Sequence, residues 1–289
     1  MYERGPRRVL MFALFLGPSI VGVTLFLVGP IVASLGLSFS TWDLLTPPAF
    51  VGFGNFQRLA ANAEFWSALR HTITFLAGYI PLVMVAGLLV AVALNGRMPA
   101  RNLFRALYFL PVVTSWVAAA LVWKWLLNPS FGLVNNLLAQ IGVPGPAWLF
   151  DPNWAMFSVI LASVWKDTGF VMVLLLAGLQ GIPRVYYEAA SIDGATETQK
   201  LRHITLPLLA PALFFALSIS LINSFQVFDQ VYVMTGGGPA GATTVLVERI
   251  VKNAFSFSRM GYASAMSWVL FVLIFLTTLV FARLQRRWT

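Results

Sequence analysis

Residues 181–207 read GIPRVYYEAASIDGATETQKLRHITLP, a polar insert between two apolar runs at about 154–180 and 205–228. The insert has the grammar of a helix, a tight turn and a second helix. Pro183 suits a first helical position, where its missing N–H costs nothing. Tyr187, Glu188, Ala189 and Ala190 continue that helix, and Gly194 can take the positive φ that stops it. Thr196 followed by Gln199 is a capping-box pattern for the second helix. Pro207 and Pro211 mark entry into the next apolar run. Small side chains at Ala189, Ala190, Gly194 and Ala195 leave room for another surface to come close. Residue physics alone leaves two readings open: an ordinary polar connector, or a docking element.

Outward from this insert the chain is apolar. Hydrophobic residues make up 59% and charged residues 10% of 289 positions, against about 25% charged in ordinary soluble domains. A chain of this kind needs lipid as solvent, and about 20 apolar residues cross a bilayer as a helix. Six such segments are predicted: 9–39, 70–94, 106–127, 154–180, 205–228 and 262–283. Together they predict an all-α membrane protein with a single transmembrane domain over 1–289. Pro18 and Pro30 are expected to kink the first span, Pro81 the second and Pro111 the third.

Cations divide the connectors by side. Of the nineteen Lys and Arg residues, twelve lie in or beside 95–105, 181–204 and the two tails: Arg4, Arg7, Arg8, Arg97, Arg101, Arg105, Arg184, Lys200, Arg202, Arg283, Arg286 and Arg287. The connectors 40–69, 128–153 and 229–261 are longer and hold or border on five: Arg58, Arg70, Arg249, Lys252 and Arg259. The positive-inside rule then places both termini and the 181–204 connector in the cytoplasm. Trp42, Trp123, Trp125, Trp148 and Trp154 fall at the opposite interface and Trp288 at the inner one, which supports the same register.

Several function classes are excluded. The chain has no cysteine and only two histidines, His71 and His203, so thiolate metal sites and His-rich metal sites are not expected. Nucleic-acid binding is not expected either, because the net charge of +9 is spread in short clusters beside apolar runs. TGGGPAGATT (235–244) is glycine-rich but lacks the Gly-Lys-Ser/Thr ending of a phosphate loop. It is read as a flexible outer turn, followed by VLVERIVKNAF (245–255) as an amphipathic helix at the outer interface. The first apolar run is about twice the 7–15 residues of a signal peptide, so a retained helix is expected. An ion-coupled secondary transporter usually shows duplicated halves; no internal repeat is seen, so that class stays as the less favoured alternative rather than an excluded one. No constellation of catalytic residues is found.

Two polar groups of residues lie within the spans. Lys166 and Asp167 sit mid-span in SVWKDTGF, where a charge must face protein or water. They are candidates for lining a solute path, with Trp165 or Phe170 as an aromatic face for the solute; a structural ion pair is the alternative. Adjacent helical residues point about 100° apart, so the two cannot both face one narrow lumen. Asn223, Ser224, Gln226 and Asp229 form a polar string in the fifth span. Neutral amides suit a hydroxyl-rich solute, whereas a phosphate would call for arginine; interhelical hydrogen bonding is the alternative.

The 181–207 insert also resembles a known motif. Glu188-Ala189-Ala190, Gly194, Ile204 and Leu206-Pro207 match the EAA loop of binding-protein-dependent ABC importer permeases without gap or substitution. The stretches FVGFGNFQRL (50–59), RNLFRALYFLPVV (101–113), WKWLLNPSFGLVN (123–135) and SFQVFDQVYVMTGGGPAGAT (224–243) are similar to the sugar and glycerol-phosphate branch of that family. Together they resemble its maltose-transporter-like first permease, here without a long inserted outer domain. The resemblance implies a type I importer permease fold of six transmembrane helices. It implies that the loop is a coupling helix docking on separate ATPase subunits, which would bind the ATP and Mg, leaving this chain without catalysis or cofactor. Glu188 would make a polar or ionic contact there, Ala189 and Ala190 a close approach and Gly194 the turn, with Arg184, Asp193 and Arg202 as further contacts. A second permease, an extracytoplasmic solute-binding protein and a sugar substrate are implied as well, in a bacterial or archaeal inner membrane. Glycerol phosphate is the alternative solute.

Overall fold

The computed structural model describes residues 6–96 and 98–285. Arg4, Arg97, Arg286, Arg287 and Trp288, used above to read sidedness, lie outside the described residues. In chain order, α1 (Pro6–Val23) passes through a π-helical turn (Thr24–Val28) into α2 (Gly29–Ser38). A short antiparallel hairpin follows, β1 (Ser40–Thr41) with β2 (Ala49–Phe50), pairing Ser40 with Phe50 and Thr41 with Ala49. Next come α3 (Gly54–Ala61), α4 (Ala63–Asn95), α5 (Arg101–Val113), α6 (Trp116–Leu126), α7 (Leu133–Gln140) and α8 (Pro152–Gln180). The polar insert forms α9 (Arg184–Ile192) and α10 (Glu197–Lys200), and a second π turn (Leu201–Thr205) leads into α11 (Leu206–Phe225). The chain continues with α12 (Asp229–Met234), α13 (Leu246–Val251), a third π turn (Lys252–Ser256) and α14 (Met260–Gln285).

Five of the six expected spans are single helical runs long and apolar enough to cross a membrane: Leu14–Ser38, Ala63–Asn95, Pro152–Gln180, Glu197–Phe225 and Met260–Arg283. The third is not one helix. It is the pair α5 and α6, bent by 100° at Thr114–Ser115. The prolines are accommodated in different ways. Both α1 and α4 run unbroken through Pro18 and Pro81. Pro30 and Pro207 instead each follow a π turn by two residues. A proline ring clashes with the carbonyl four residues back, and the wider π turn, closed by Gly29 N–H to Thr24 O and Leu206 N–H to Leu201 O, relieves that clash without ending the helix.

By their contacts the residues form two compact units, 1–62 with 250–269 and 63–249 with 270–289. In the first unit the hairpin is held from inside by Asn55. Its buried amide donates to the carbonyls of Ser38 and Ser40, both at 2.9 Å. Phe39, Phe53 and Phe56 cluster beside it. The 258–262 segment is stitched to the same frame by Met260 N–H to Trp42 O and by Asn62 to the Tyr262 hydroxyl. Trp268 on α14 donates to Ser34 on α2. The Asp43 carboxylate accepts from Thr46 N–H, Thr46 Oγ1 and Leu45 N–H. These bonds, those of Thr46 foremost, hold its carboxyl below the usual aspartate range. The contribution these bonds make to the turn is therefore present above the ordinary aspartate pKa and fades as the pH falls through the lowered one.

The second unit is built around α8, which packs against α4, α5 and α11. Asp151 caps α8 through Asn153 N–H, and Pro152 takes its first position, so the helix starts two residues earlier than expected. On α4 the buried residues Ala68, Thr72, Phe75, Tyr79, Val83, Gly87, Ala91 and Leu94 recur every three to four positions, one stripe of an amphipathic helix. Gly169 of α8 faces the Tyr108 carbonyl of α5 so closely that a Cβ would collide with it. Backbone cannot swing aside as a flexible side chain can. Gly169→Ala is therefore expected to destabilise the unit by about 1–3 kcal/mol, read as a lower melting temperature in detergent; an unchanged melting curve would contradict this packing.

The glycine-rich stretch 235–244 is a turn closed by hydrogen bonds of its own threonines. Thr235 and Thr243 hydroxyls meet at 2.7 Å, Thr243 Oγ1 donates to Gly238 O, and Thr244 Oγ1 donates to Gly237 O. Its end is tied to α4, where Thr72 Oγ1 accepts from Leu246 N–H and His71 Nδ1 lies 3.1 Å from Thr244 O. The following helix is amphipathic only in part, since Glu248 is buried along with Val245, Leu246 and Ala254.

Candidate functional site

Two groups of sequence-selected residues are brought together, one in a groove within the second unit and one on α9. The groove has a volume of about 230 Å³ and is lined by Phe75, Tyr79, Trp116, Asp167, Asn223, Gln226, Phe228, Asp229 and neighbours. Asn223, Gln226 and Asp229 therefore do converge, but not along one helix. The fifth span was expected to run to 228, whereas α11 ends at Phe225 and Gln226 is its cap, with its N–H on Asn223 O at 3.1 Å. Asp229 opens the separate helix α12. This break at 226–228 lets amide, aromatic and carboxylate groups share one concavity. Gln230, buried on α12, reaches Ser163 of α8 at 3.4 Å.

Lys166 and Asp167 part company as their 100° separation requires. The Asp167 carboxylate lines the groove and accepts from the Tyr79 hydroxyl at 2.8 Å. Lys166 is 4% exposed and turns toward the bend between α5 and α6. Its ammonium donates to Pro111 O at 2.9 Å and Val112 O at 3.1 Å and lies 5.1 Å from the Trp116 ring centre. The last carbonyls of any helix lack intrahelical partners, and a cation there also complements the helix dipole. Lys166 thus serves the broken helix, and among the described residues it is not in the groove lining. The aromatic expectation also needs correction. Trp165 points out of the unit and meets Trp123 edge-on at 5.7 Å, and Phe170 is half-buried outside the groove. Trp116, Tyr79 and Phe228 supply the aromatic surface instead. Trp116 is reachable from sequence only by noticing that it follows Pro111 and a Thr-Ser pair at the close of an apolar run.

The insert folds much as its grammar suggests. Gly194 has φ +74°, and Thr196 and Gln199 form the full capping box. Pro183 is the N-cap residue rather than the first helical one, a shift of one position. On α9 the side chains of Val185, Glu188, Ala189 and Ile192 are exposed and, at 100° per residue, share a face. Tyr187 points the other way, its hydroxyl 3.0 Å from the buried Thr205 at the start of α11. That anchor was not among the expected site residues. Arg184 opens the helix and Asp193 is its C-cap, the reverse of what the helix dipole favours. In α10 the order is the favourable one, with Glu197 first, Lys200 last and 2.7 Å between them. Arg202 is exposed on the following π turn, apart from the α9 face.

Comparison with known proteins agrees with this architecture. The family described as "Binding-protein-dependent transport system inner membrane component" matches residues 83–289. The chain is 37% identical over 279 residues to the probable ABC transporter permease protein YesP of Bacillus subtilis (strain 168), covering 95% of this chain and 90% of that protein. It is 37% identical over 270 residues to the trehalose/maltose transport system permease protein MalF of Thermococcus litoralis, covering 93% and 91%. Among solved structures it is similar to a chain of a bacterial alginate ABC transporter in complex with its alginate pentasaccharide-bound periplasmic protein. That match has TM-score 0.85 and 27% identity and covers 97% of this chain and 95% of that one. With the family matched over more than two thirds of its length and relatives aligned almost end to end, the chain belongs to the binding-protein-dependent transport system inner membrane components.

Proposed function

We propose that this permease forms half of the translocation path of an ATP-driven importer for an uncharged saccharide. The groove carries the reading. Asn223 and Gln226 offer donors and acceptors, Asp167 and Asp229 accept from hydroxyls, and Trp116, Tyr79 and Phe228 offer ring faces. No Lys or Arg is among the described lining residues, and two carboxylates oppose a phosphate, so a sugar fits better than glycerol phosphate. The trehalose/maltose relative and the alginate neighbour point to saccharides too.

In this reading a second permease completes the path, and separate ATPase subunits grip α9 on the cytoplasmic side, where the cation-rich connectors place it. A solute-binding protein delivers substrate from outside. The reversed charges of α9 support the docking role, since Arg184 and Asp193 are unfavourable for the isolated helix and gain a purpose against a partner. ATP binding draws the coupling helices together and shifts a two-state path. Tyr187 and the Thr205 hydroxyl transmit that shift to α11, which carries Asn223 at its far end.

The test is uptake by the whole transporter, co-expressed from neighbouring genes and reconstituted in vesicles. Trehalose, maltose and glycerol 3-phosphate would be offered with the cognate binding protein. Gln226→Leu is expected to lower saccharide uptake about tenfold, as two hydrogen bonds of about 0.5–1.5 kcal/mol each are lost, with assembly intact. Uptake unchanged by the substitution would remove Gln226 from the path, and uptake of glycerol phosphate alone would overturn the substrate class.

A further inference from the structure

The first unit holds a cleft of about 600 Å³, larger than the groove, whose lining includes Trp42, Asp43, Arg58, Asn62, Arg259 and Tyr262. Its depth in the membrane follows from the two helices that lead to it. Trp268 of α14 donates to Ser34 of α2, and Met260 N–H donates to Trp42 O. The second bond lies as far along α14 in one direction as it lies beyond Ser34 in the other, so the two helices run antiparallel and end together. The spans Leu14–Ser38 and Met260–Arg283 have 25 and 24 residues, about 36–38 Å at 1.5 Å per residue. The hydrocarbon layer is about 30 Å thick and the whole bilayer about 40–45 Å. Both helix ends therefore reach past the hydrocarbon into the headgroup layer, and the cleft opens there.

Arg58 comes from α3 and Arg259 from the residue before α14, so two guanidiniums from distant parts of the chain face one opening. Both are exposed, and neither has a carboxylate within salt-bridge distance among the described residues. Asp43 is the cleft's own carboxylate, but its Oδ1 already accepts from Leu45 N–H, Thr46 N–H and the Thr46 hydroxyl. The half-buried rings of Trp42 and Tyr262 are of the kind that settles at a membrane–water interface. Leu45, Phe50, Phe53 and Phe257 are exposed on the same segments, apolar surface that acyl chains cover better than water does. The frame is held in place by Asn55 on the hairpin strand and by the bond from Asn62 to Tyr262.

We propose that this cleft binds the phosphate of an anionic membrane lipid, with Arg58 and Arg259 as paired clamps and the neighbouring apolar side chains against its acyl chains. Depth, charge and geometry select this occupant together. The cleft lies where headgroups lie, and a lipid phosphodiester is anionic at any physiological pH. A guanidinium grips phosphate oxygens through two parallel bonds, and basic pockets beside membrane helices hold lipid headgroups. The proposal needs only that α2 and α14 span the membrane; it is independent of the side on which the cleft opens and of the solute carried.

The experiment uses the full transporter in a neutral detergent, with native mass spectrometry counting bound phospholipid as phosphatidylglycerol or phosphatidylcholine is added. The unsubstituted complex is expected to retain a phosphatidylglycerol at concentrations where phosphatidylcholine is not retained. Arg58→Ala with Arg259→Ala is expected to raise the concentration needed to hold that lipid about tenfold. Arg58→Lys with Arg259→Lys should recover part of the shift, because an ammonium keeps the charge but not the fork. Arg101→Ala with Arg105→Ala, which removes cations of α5 outside the cleft lining, should leave that lipid bound. Equal retention of the two lipids by the unsubstituted complex overturns the proposal without recourse to any variant. Undiminished retention by the double Ala variant overturns it too, and an equal loss from the α5 variant moves the lipid to another site. Displacement of the lipid by inorganic phosphate at equal concentration assigns the clamps to a free phosphate and overturns the headgroup as its source.

Discussion

Replacing Lys166 by methionine is expected to lower transport at least tenfold and to reduce the melting temperature of the complex. The ammonium is buried and makes two charge-assisted hydrogen bonds to the end of α5, at 2.9 and 3.1 Å. Thr114 Oγ1 shares the Pro111 carbonyl at 2.6 Å, so methionine leaves the Val112 carbonyl with nothing in exchange. A hydrogen bond to a charged group is worth about 1.5–3 kcal/mol, and losing two would destabilise the bend by roughly 3 kcal/mol or more. Trp116 opens α6 directly after the bend and lines the groove, so its position would loosen with it. Lys166→Arg keeps the charge and is expected to restore part of both properties. Melting followed by tryptophan fluorescence, alongside uptake at several substrate concentrations, checks this. A direct path residue would change the substrate concentration for half-maximal uptake without moving the melting temperature, and that outcome would contradict the bracing role.

The second large effect concerns α9. Val185→Asp combined with Ile192→Asp is expected to abolish stable association with the ATPase subunits while leaving the permease folded. Val185 is 61% and Ile192 87% exposed, and both flank Glu188 and Ala189 on the face opposite the Tyr187 anchor. Burying such a side chain at an interface is worth about 1.5–3 kcal/mol. Losing both, with two carboxylates added, should weaken docking by 10²-fold or more, by roughly those energies. Because neither side chain supports the fold, melting of the permease alone should hardly change. Co-purification of the ATPase subunits is the readout, and their retention at full yield would place the docking face elsewhere. Tyr187→Phe offers the contrasting case, in which docking survives but coupling of hydrolysis to uptake falls, since the hydroxyl link to Thr205 is lost.

Much of this molecule is written in local sequence. Long apolar runs need no tertiary context to be read as spanning helices, because the bilayer demands internally bonded backbone over a set length. The insert was legible for a related reason: Gly194, Thr196 and Gln199 act on their immediate neighbours, and the capping box forms as its spacing requires. Reading Lys166 and Asp167 as pointing apart was also local geometry. What each points at was not. Lys166 meets carbonyls 54 and 55 positions away, and Asp167 meets a hydroxyl 88 positions away. The aromatic residues chosen by proximity in sequence, Trp165 and Phe170, missed the groove for the same reason.

The sequence by itself therefore determined a lipid-embedded helical chain, its spans and the helix–turn–helix insert, since composition, length and capping act within a few turns of backbone. Only the tertiary structure decided that the third span is broken by 100°, that Lys166 braces the break, and that Tyr79, Trp116 and Phe228 join Asn223 and Gln226 in one groove. Periodicity tells which face of a helix is buried, but not which neighbour covers it. That choice is made by packing between segments distant in sequence, where a carbonyl freed by one helix is satisfied by a side chain of another.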